Sequence, residues 1–231
     1  ARDLSSAAFK TDRIQYHDGA FKSIDNYSYL VLRNEAIPIN VYIGVDIAAT
    51  ATEKSDFQVI MVIGVDSNKN RYVLEYFRER IPTFDLPKEI IRISRKYSPV
   101  RRVTIETVAA QEMVRDMVTR MASEDRRLIP GIFKGVKPPS GIKKADRLET
   151  SLGPIVNSKK LYIRREMTEL VDEMFEHPVP RNDDLMDGLY YADYYSKAPL
   201  SSAISITEMK SGKKGGSKIK GYYNWMTGAR R

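Results

Sequence analysis

Short apolar runs separated by polar turns make up residues 41–80 of this chain. Three apolar runs follow one another, VYIGVDIA (41–48), FQVIMVIGVD (57–66) and RYVLEYFRER (71–80), and the polar turn SNKN (67–70) separates the last two. Short apolar runs bounded by turn residues are typical of β-strands. Three such strands in succession predict an antiparallel meander.

Beyond residue 80 the apolar spacing changes to that of amphipathic helices, interrupted by short strands. Helices are predicted for 86–97, 109–122, 143–156, 166–178 and 180–199, and extended segments for 101–106, 128–141 and 160–165. In the second helix, Met113, Met117 and Met121 share a stripe that we expect to pack in the core. The order of elements predicts an α/β fold, a mixed sheet with helices packed on it.

The chain divides into three parts. Residues 1–40 form a lead-in whose end, NEAIPIN (34–40), is interpreted as a connector; 41–197 form the main domain; 198–231 form a basic tail. The formal net charge is +8, and seven Lys and Arg with no acid lie within 210–231, so the tail carries most of the surplus. A polyanionic partner would fit this surplus, and so would a merely solvated end.

Composition excludes several kinds of chemistry. With no cysteine and two histidines the chain has no thiolate nucleophile, disulfide framework or multi-histidine zinc site. It has no P-loop, nucleophile elbow or dinucleotide fingerprint. No apolar run is long enough to span a membrane, and the stretch ARDLSSAAFKTDR (1–13) is not followed by the apolar region that a signal peptide needs. Any metal must use oxygen ligands, which favours Mg²⁺ or Mn²⁺.

Four carboxylates stand at unusual positions. Asp46 interrupts an apolar strand, Glu106 ends another, and Asp184 and Asp187 lie three residues apart on one face of a helix start. A buried ionised carboxylate is costly unless it is paired or bound to metal. Converging carboxylates also raise each other's pKa, and a divalent cation relieves both problems. The pattern therefore predicts a metal site for phosphodiester hydrolysis.

Each acid also has an ordinary interpretation. Asp46 would then be a hydrogen-bonded structural residue, and Glu106 would pair with Arg101 or Arg102. Asp183, Asp184 and Asp187 would be the acids that favour a helix N-terminus. Only the joint pattern of acids argues for the metal.

Several stretches taken together resemble the nuclease domain of the large terminase subunit of tailed bacteriophages, a member of the RNase H-like superfamily. They are VYIGVDIAATATEKSDFQVIMVIGVD, VTIETVAAQEMV, KKADRLETSLGPIVNSKKLYI and NDDLMDGLYYA. The resemblance covers 41–197 and implies an RNase H-like mixed sheet. It also implies that an N-terminal ATPase domain of the same polypeptide is missing, and that residues 1–40 are its linker.

The resemblance assigns roles to the acids. Asp46 and Glu106, the latter followed by Gln111, correspond to metal ligands, with Asp187 as the preferred third ligand and Asp184 as the second choice. The same motifs contain two further acids. Asp56 resembles an accessory acid of the family, and Asp183 corresponds to a residue that caps the helix. Gly188 stands where Ala is common in the family.

The resemblance also implies contacts with DNA. Lys144 and Arg147 lie where the family places basic residues near the DNA backbone, although a solvated helix face would explain them as well. Lys134, Lys137 and Lys143 belong to the same basic cluster and are expected to contact DNA with them.

The function that the resemblance implies is that of an endonuclease using one or two Mg²⁺ or Mn²⁺ ions. It would cut concatemeric double-stranded viral DNA during genome packaging, at the procapsid portal in the bacterial cytoplasm, with portal protein and small terminase as partners. The alternatives are another RNase H-like nuclease, such as a Holliday-junction resolvase or transposase core, and a non-catalytic module that binds DNA or portal.

Overall fold

A computed structural model describes residues 8–33, 35–48, 57–107, 111–200 and 204–205. The strands are β1 (Gln15–Tyr16), β2 (Ala20–Ile24), β3 (Tyr27–Leu32), β4 (Glu35–Asp46), β5 (Gln58–Val65), β6 (Arg71–Glu79), β7 (Val100–Glu106), β8 (Phe133–Val136), β9 (Leu161–Ile163) and β10 (Ile204–Ser205). The helices are α1 (Leu86–Lys96), α2 (Gln111–Ser123), α3 (Lys144–Asn157), α4 (Thr168–Glu176) and α5 (Asp184–Asp193).

The sheet is mixed, as the sequence predicts. Strands β4, β5 and β6 pair antiparallel in order, which confirms the meander. Strand β7 pairs parallel with β4, and β8 pairs parallel with β7. On the far side β9 continues parallel to β6. Strand β4 is central because it has neighbours on both edges.

Helices cover both faces of this sheet. Alternate β4 residues Val41, Ile43 and Val45 pack in a core with α1 and α2. Tyr42, between them, packs in a second core that contains residues of α3, α4 and α5. Burial on both faces explains the near-continuous apolar runs of the central strands. Within the described residues, no helix is both long and apolar enough to cross a bilayer.

The interpretation of 34–40 as a connector is wrong. Glu35–Ile39 are the first part of β4 and pair antiparallel with β3, which in turn pairs with β2. Pro38 hid this strand, because proline is normally found at strand edges or bulges. A single twelve-residue strand therefore runs from the β2–β3 hairpin to Asp46.

The prediction of a buried methionine stripe on α2 is wrong for Met113 and Met117, whereas Met121 is partly buried and packs against the core. Met113 and Met117 are 56% and 37% exposed, whereas Val114, Val118 and Ala122 form the buried face. Both sets have helical spacing, and the branched and small residues pack against α1 and the sheet instead. Periodicity alone did not distinguish the two faces.

Candidate active site

Strand alternation directs Asp46 toward α5. Tyr42 lies in the core on the α5 side, and Gly44, two residues further, lies against the backbone of α5. A Cβ atom at Gly44 would lie 2.1 Å from the carbonyl oxygen of Gly188. Asp46 follows by the same period of two, so it points to the same face. The helix that carries Asp187 thus lies directly on the strand that carries Asp46.

Parallel pairing brings Glu106 beside Asp46. Val45 of β4 is in register with Ile105 of β7, and each is followed by an acid that ends its strand. Because parallel strands end at the same edge of a sheet, the two carboxyl groups meet there. A hydrogen bond between them, which requires a proton on one of the two carboxyls, is among the causes that raise the pKa of Asp46. The Tyr191 hydroxyl of α5 faces Glu106, and burial together with that carboxylate raises the pKa of the phenol.

Asp46 is buried and lies near two other acids. Burial raises the pKa of its carboxyl well above the ordinary value, and the charge of Asp187 and the hydrogen bond with Glu106 raise it further. Lys144 opposes this rise. Three acids that are far apart in the sequence therefore act on one another within one pocket.

Asp187 is held by two cations. Its side chain is 2% exposed, Arg147 donates from its Nη2 to Oδ1 at 2.8 Å, and the Lys144 ammonium contacts Oδ2. Burial raises the pKa of the Asp187 carboxyl, while Lys144 and Arg147 counteract that rise. Lys144 and Arg147, predicted to lie near DNA, thus contact a candidate metal ligand.

Asp184 and Asp183 have other partners. Asp184 Oδ2 lies 3.5 Å from Arg78 Nη2 of β6, and Asp183 Oδ1 accepts a hydrogen bond from Lys144 at 2.8 Å. The interactions that raise the pKa of Asp46 come from Asp187 and Glu106. The geometry therefore associates Asp187, rather than Asp184, with the strand acids. Asp56 lies outside the described residues.

The side chains of Asp46, Glu106 and Asp187 offer only oxygen atoms as ligands. Hard divalent cations prefer oxygen ligands. In the described part of the chain, however, no three acidic or imidazole side chains are arranged so that they could hold a metal ion. Both oxygens of Asp187 face cations. Asp46, Glu106 and Asp187 are candidate ligands by donor type, and Lys144 would have to leave Oδ2 before that oxygen could face a metal ion.

The three other lysines that the sequence predicts to contact DNA are exposed. Strand β8 ends at Val136, which is in register with Glu106, and exposed Lys137 follows it. Lys143, immediately before α3, and Lys134 of β8 are exposed as well. Exposed lysines therefore lie near the edge of the sheet at which β4 and β7 end in acids.

Sequence reasoning missed the contacts that hold the start of α5. Glu173 of α4 is buried, and its Oε2 accepts the backbone N–H of Met186 at 3.0 Å. Arg78 lies 3.7 Å from the other oxygen of Glu173. The available signal was that Glu173 has the helical spacing of buried Leu170 and Met174. An acid on the apolar face of a helix is a candidate for a buried contact.

Comparison with known proteins identifies the fold. No protein-family model matches the chain, and no curated protein matches it in sequence. Among solved structures, the large terminase nuclease of thermophilic phage G20c, with bound zinc, is 15% identical with a TM-score of 0.55. That similarity covers 82% of this chain and 99% of the G20c chain.

A second solved structure has the same architecture. The P22 large terminase nuclease domain is 12% identical with a TM-score of 0.51, over 82% of this chain and 91% of that domain. The chain described here thus has the RNase H-like fold, with a mixed sheet between helices. Its architecture is similar to that of the large terminase nuclease domains of phages G20c and P22.

Proposed function

We propose that this protein is a metal-dependent endonuclease that hydrolyses double-stranded DNA, the nuclease part of a large terminase. One observation carries the proposal. Asp46, Glu106 and Asp187, from two strands and a helix, converge where the pKa of Asp46 is raised by burial and by the other two. Their association with a terminase nuclease fold supports hydrolysis of phosphodiesters rather than a structural role.

Asp46, Glu106 and Asp187 would hold one or two Mg²⁺ or Mn²⁺ ions. Such ions activate water and stabilise the departing oxygen of a phosphodiester. Arg147 orients Asp187 from the far side. The exposed lysines at 134, 137 and 143 would contact phosphates without reading bases, so cutting would depend little on sequence.

The biological setting is part of the proposal. The DNA would be concatemeric viral DNA, cut in the bacterial cytoplasm at the procapsid portal. An N-terminal ATPase domain of the same polypeptide would present that DNA, and portal protein and small terminase would be partners. The resemblance of the Asp46, Glu106 and Asp187 motifs to the terminase family supports these assignments.

Plasmid nicking in Mn²⁺ tests the activity. Asp46→Asn, which keeps the size of the side chain, should lower the nicking rate by more than about 100-fold, the upper range for disturbing a metal ligand through its neighbours. Asp187→Asn should act alike, whereas Asp184→Asn should keep most activity because Asp184 pairs with Arg78. Equal nicking by wild type and Asp46→Asn would remove the nuclease proposal.

The same assay separates the alternatives. A four-way junction and a linear duplex of equal length should be cut at similar rates in Mn²⁺. Strong preference for the junction would instead identify a resolvase. DNA binding without any cleavage would identify a non-catalytic module.

A further inference from the structure

Lys144 places a positive charge among the acids of the candidate site. Its ammonium contacts Oδ2 of Asp187 and lies 2.8 Å from Oδ1 of Asp183. Its charge also reaches Asp46, where it opposes the rise in that carboxyl's pKa. The ammonium thus supplies the charge compensation that a bound cation would otherwise supply.

The two cations on Asp187 differ in freedom. Arg147 is buried, its guanidinium lies 4.9 Å from the ring centre of Tyr190 and 5.8 Å from that of Tyr191, and it bonds Oδ1. Lys144 is the first residue of α3, and its side chain is 44% exposed. Arg147 is therefore a fixed support for Asp187, whereas Lys144 can turn toward solvent and release Oδ2.

We propose that Lys144 competes with a divalent cation for Oδ2 of Asp187 and releases that oxygen when a DNA phosphate binds its ammonium. The inference rests on the proposed nuclease function and adds a coupling between its two ligands. When DNA binds the Lys144 ammonium, Oδ2 of Asp187 becomes available to the metal. When the metal binds Oδ2, the ammonium becomes available to DNA. By linkage, each ligand must then strengthen the binding of the other by the same factor.

Calorimetric titration of the full 231-residue chain with MnCl₂, and separately with CaCl₂, tests the competition without activity. Lys144→Met should bind either ion about tenfold more tightly than wild type without DNA, within the usual range of coupling between sites. Lys22→Met is the matched control, since Lys22 is exposed on β2, has no proposed role in DNA or metal binding and does not contact Asp187. It should leave the affinity close to that of wild type.

Fluorescence anisotropy with a labelled 20-base-pair duplex tests the DNA side. In EDTA, Lys144→Met should bind the duplex nearly as well as wild type, because the wild-type lysine is engaged with Asp187. In CaCl₂, with duplex integrity checked on a gel, the variant should bind several-fold more weakly than wild type. A lysine that simply contacts phosphate would instead show the same loss in both conditions.

The outcomes separate this inference from the proposed function. Metal binding that is equal in wild type and Lys144→Met overturns the competition and leaves the nuclease proposal standing. No metal binding by either protein overturns both. If Lys144→Met lowers the melting temperature, Lys144→Gln is used in its place, and the same comparison decides.

Discussion

At the residue scale, Arg78 and the acids around it determine the charge at the start of α5. Arg78 lies among three carboxylates, with Glu169 at 3.2 Å, Asp184 at 3.5 Å and Glu173 at 3.7 Å. Glu173 is the most buried of them, and burial raises its pKa to about 8. It therefore keeps its proton at neutral pH, in a position where it caps α5.

The raised pKa of Glu173 predicts that the free energy of unfolding depends on pH. The folded pKa of Glu173, about 8, lies above the ordinary value of 4.5. The folded protein favours the protonated form of Glu173. The stability that this form contributes is fully present below pH 4.5 and is lost as the pH rises to 8. The loss is at most about 1.4 kcal/mol per pH unit. Urea unfolding at pH 5 and pH 8 should show that Glu173→Gln reduces this loss.

The control for that measurement is Glu169→Gln. Glu169 contacts the same Arg78 but is 54% exposed, so its variant removes a partner of Arg78 without removing a buried proton. It should lose stability between pH 5 and pH 8 as wild type does. If Glu173→Gln also follows the wild-type curve, Glu173 is ionised in the folded protein and the assignment is wrong.

Among elements, the contact of β4 with α5 determines the site. A Cβ atom at Gly44 would lie 2.1 Å from the Gly188 carbonyl oxygen and 2.2 Å from the Ala192 backbone nitrogen. Backbone atoms cannot move aside as a flexible side chain can. Gly188 is close as well, since its Cβ would lie 2.7 Å from Val59 Cγ1, and this gives a physical reason for glycine where Ala is common.

Gly44→Ala should therefore destabilise the protein by about 1–3 kcal/mol or more, the usual cost of overpacking. It should also displace Asp187 from Asp46, so Mn²⁺ binding should weaken in the protein that remains folded. Urea unfolding and calorimetry measure the two effects. Gly131→Ala is the control, because a Cβ there has no atom within 4 Å. Equal stability of both variants would contradict the close approach.

The elements also show what the sequence could predict. The meander, the succession of helices and the acids at the ends of β4 and β7 follow from periodicity and from polar residues in apolar runs. The ion pairs of Asp187 do not, because they depend on how α3 lies against α5, which no local pattern specifies. The same holds for Glu173 and for the β4 extension through Pro38, where tertiary packing overrides local propensity.

At the scale of the whole molecule, charge is divided between the body and the tail. Deleting 210–231 removes seven of the basic residues and lowers the formal net charge from +8 to +1. Each phosphate contact that the tail makes contributes about 0.9 to the slope of log affinity against log salt. We expect the truncated chain to bind duplex DNA with a shallower slope between 50 and 200 mM salt, measured by anisotropy.

Mn²⁺-dependent nicking should survive this truncation at low salt, because Asp46, Glu106 and Asp187 all lie in the retained domain. An unchanged slope would show that the tail is only a solvated end. Loss of cleavage at every salt concentration would instead give the tail a role in the active protein beyond DNA capture.

The continuity of β4 has a mechanical consequence. The strand is about 40 Å long; its first half pairs with β3 of the β2–β3 hairpin, and Asn40–Asp46 pair with β5 on one side while Val41–Val45 pair with β7 on the other. A pull on the hairpin along the strand loads these bonds together in shear, not one after another as in unzipping. The carboxylate at the end of β4 should therefore hold its place under tension, as the proposed nuclease would need when its DNA is pulled.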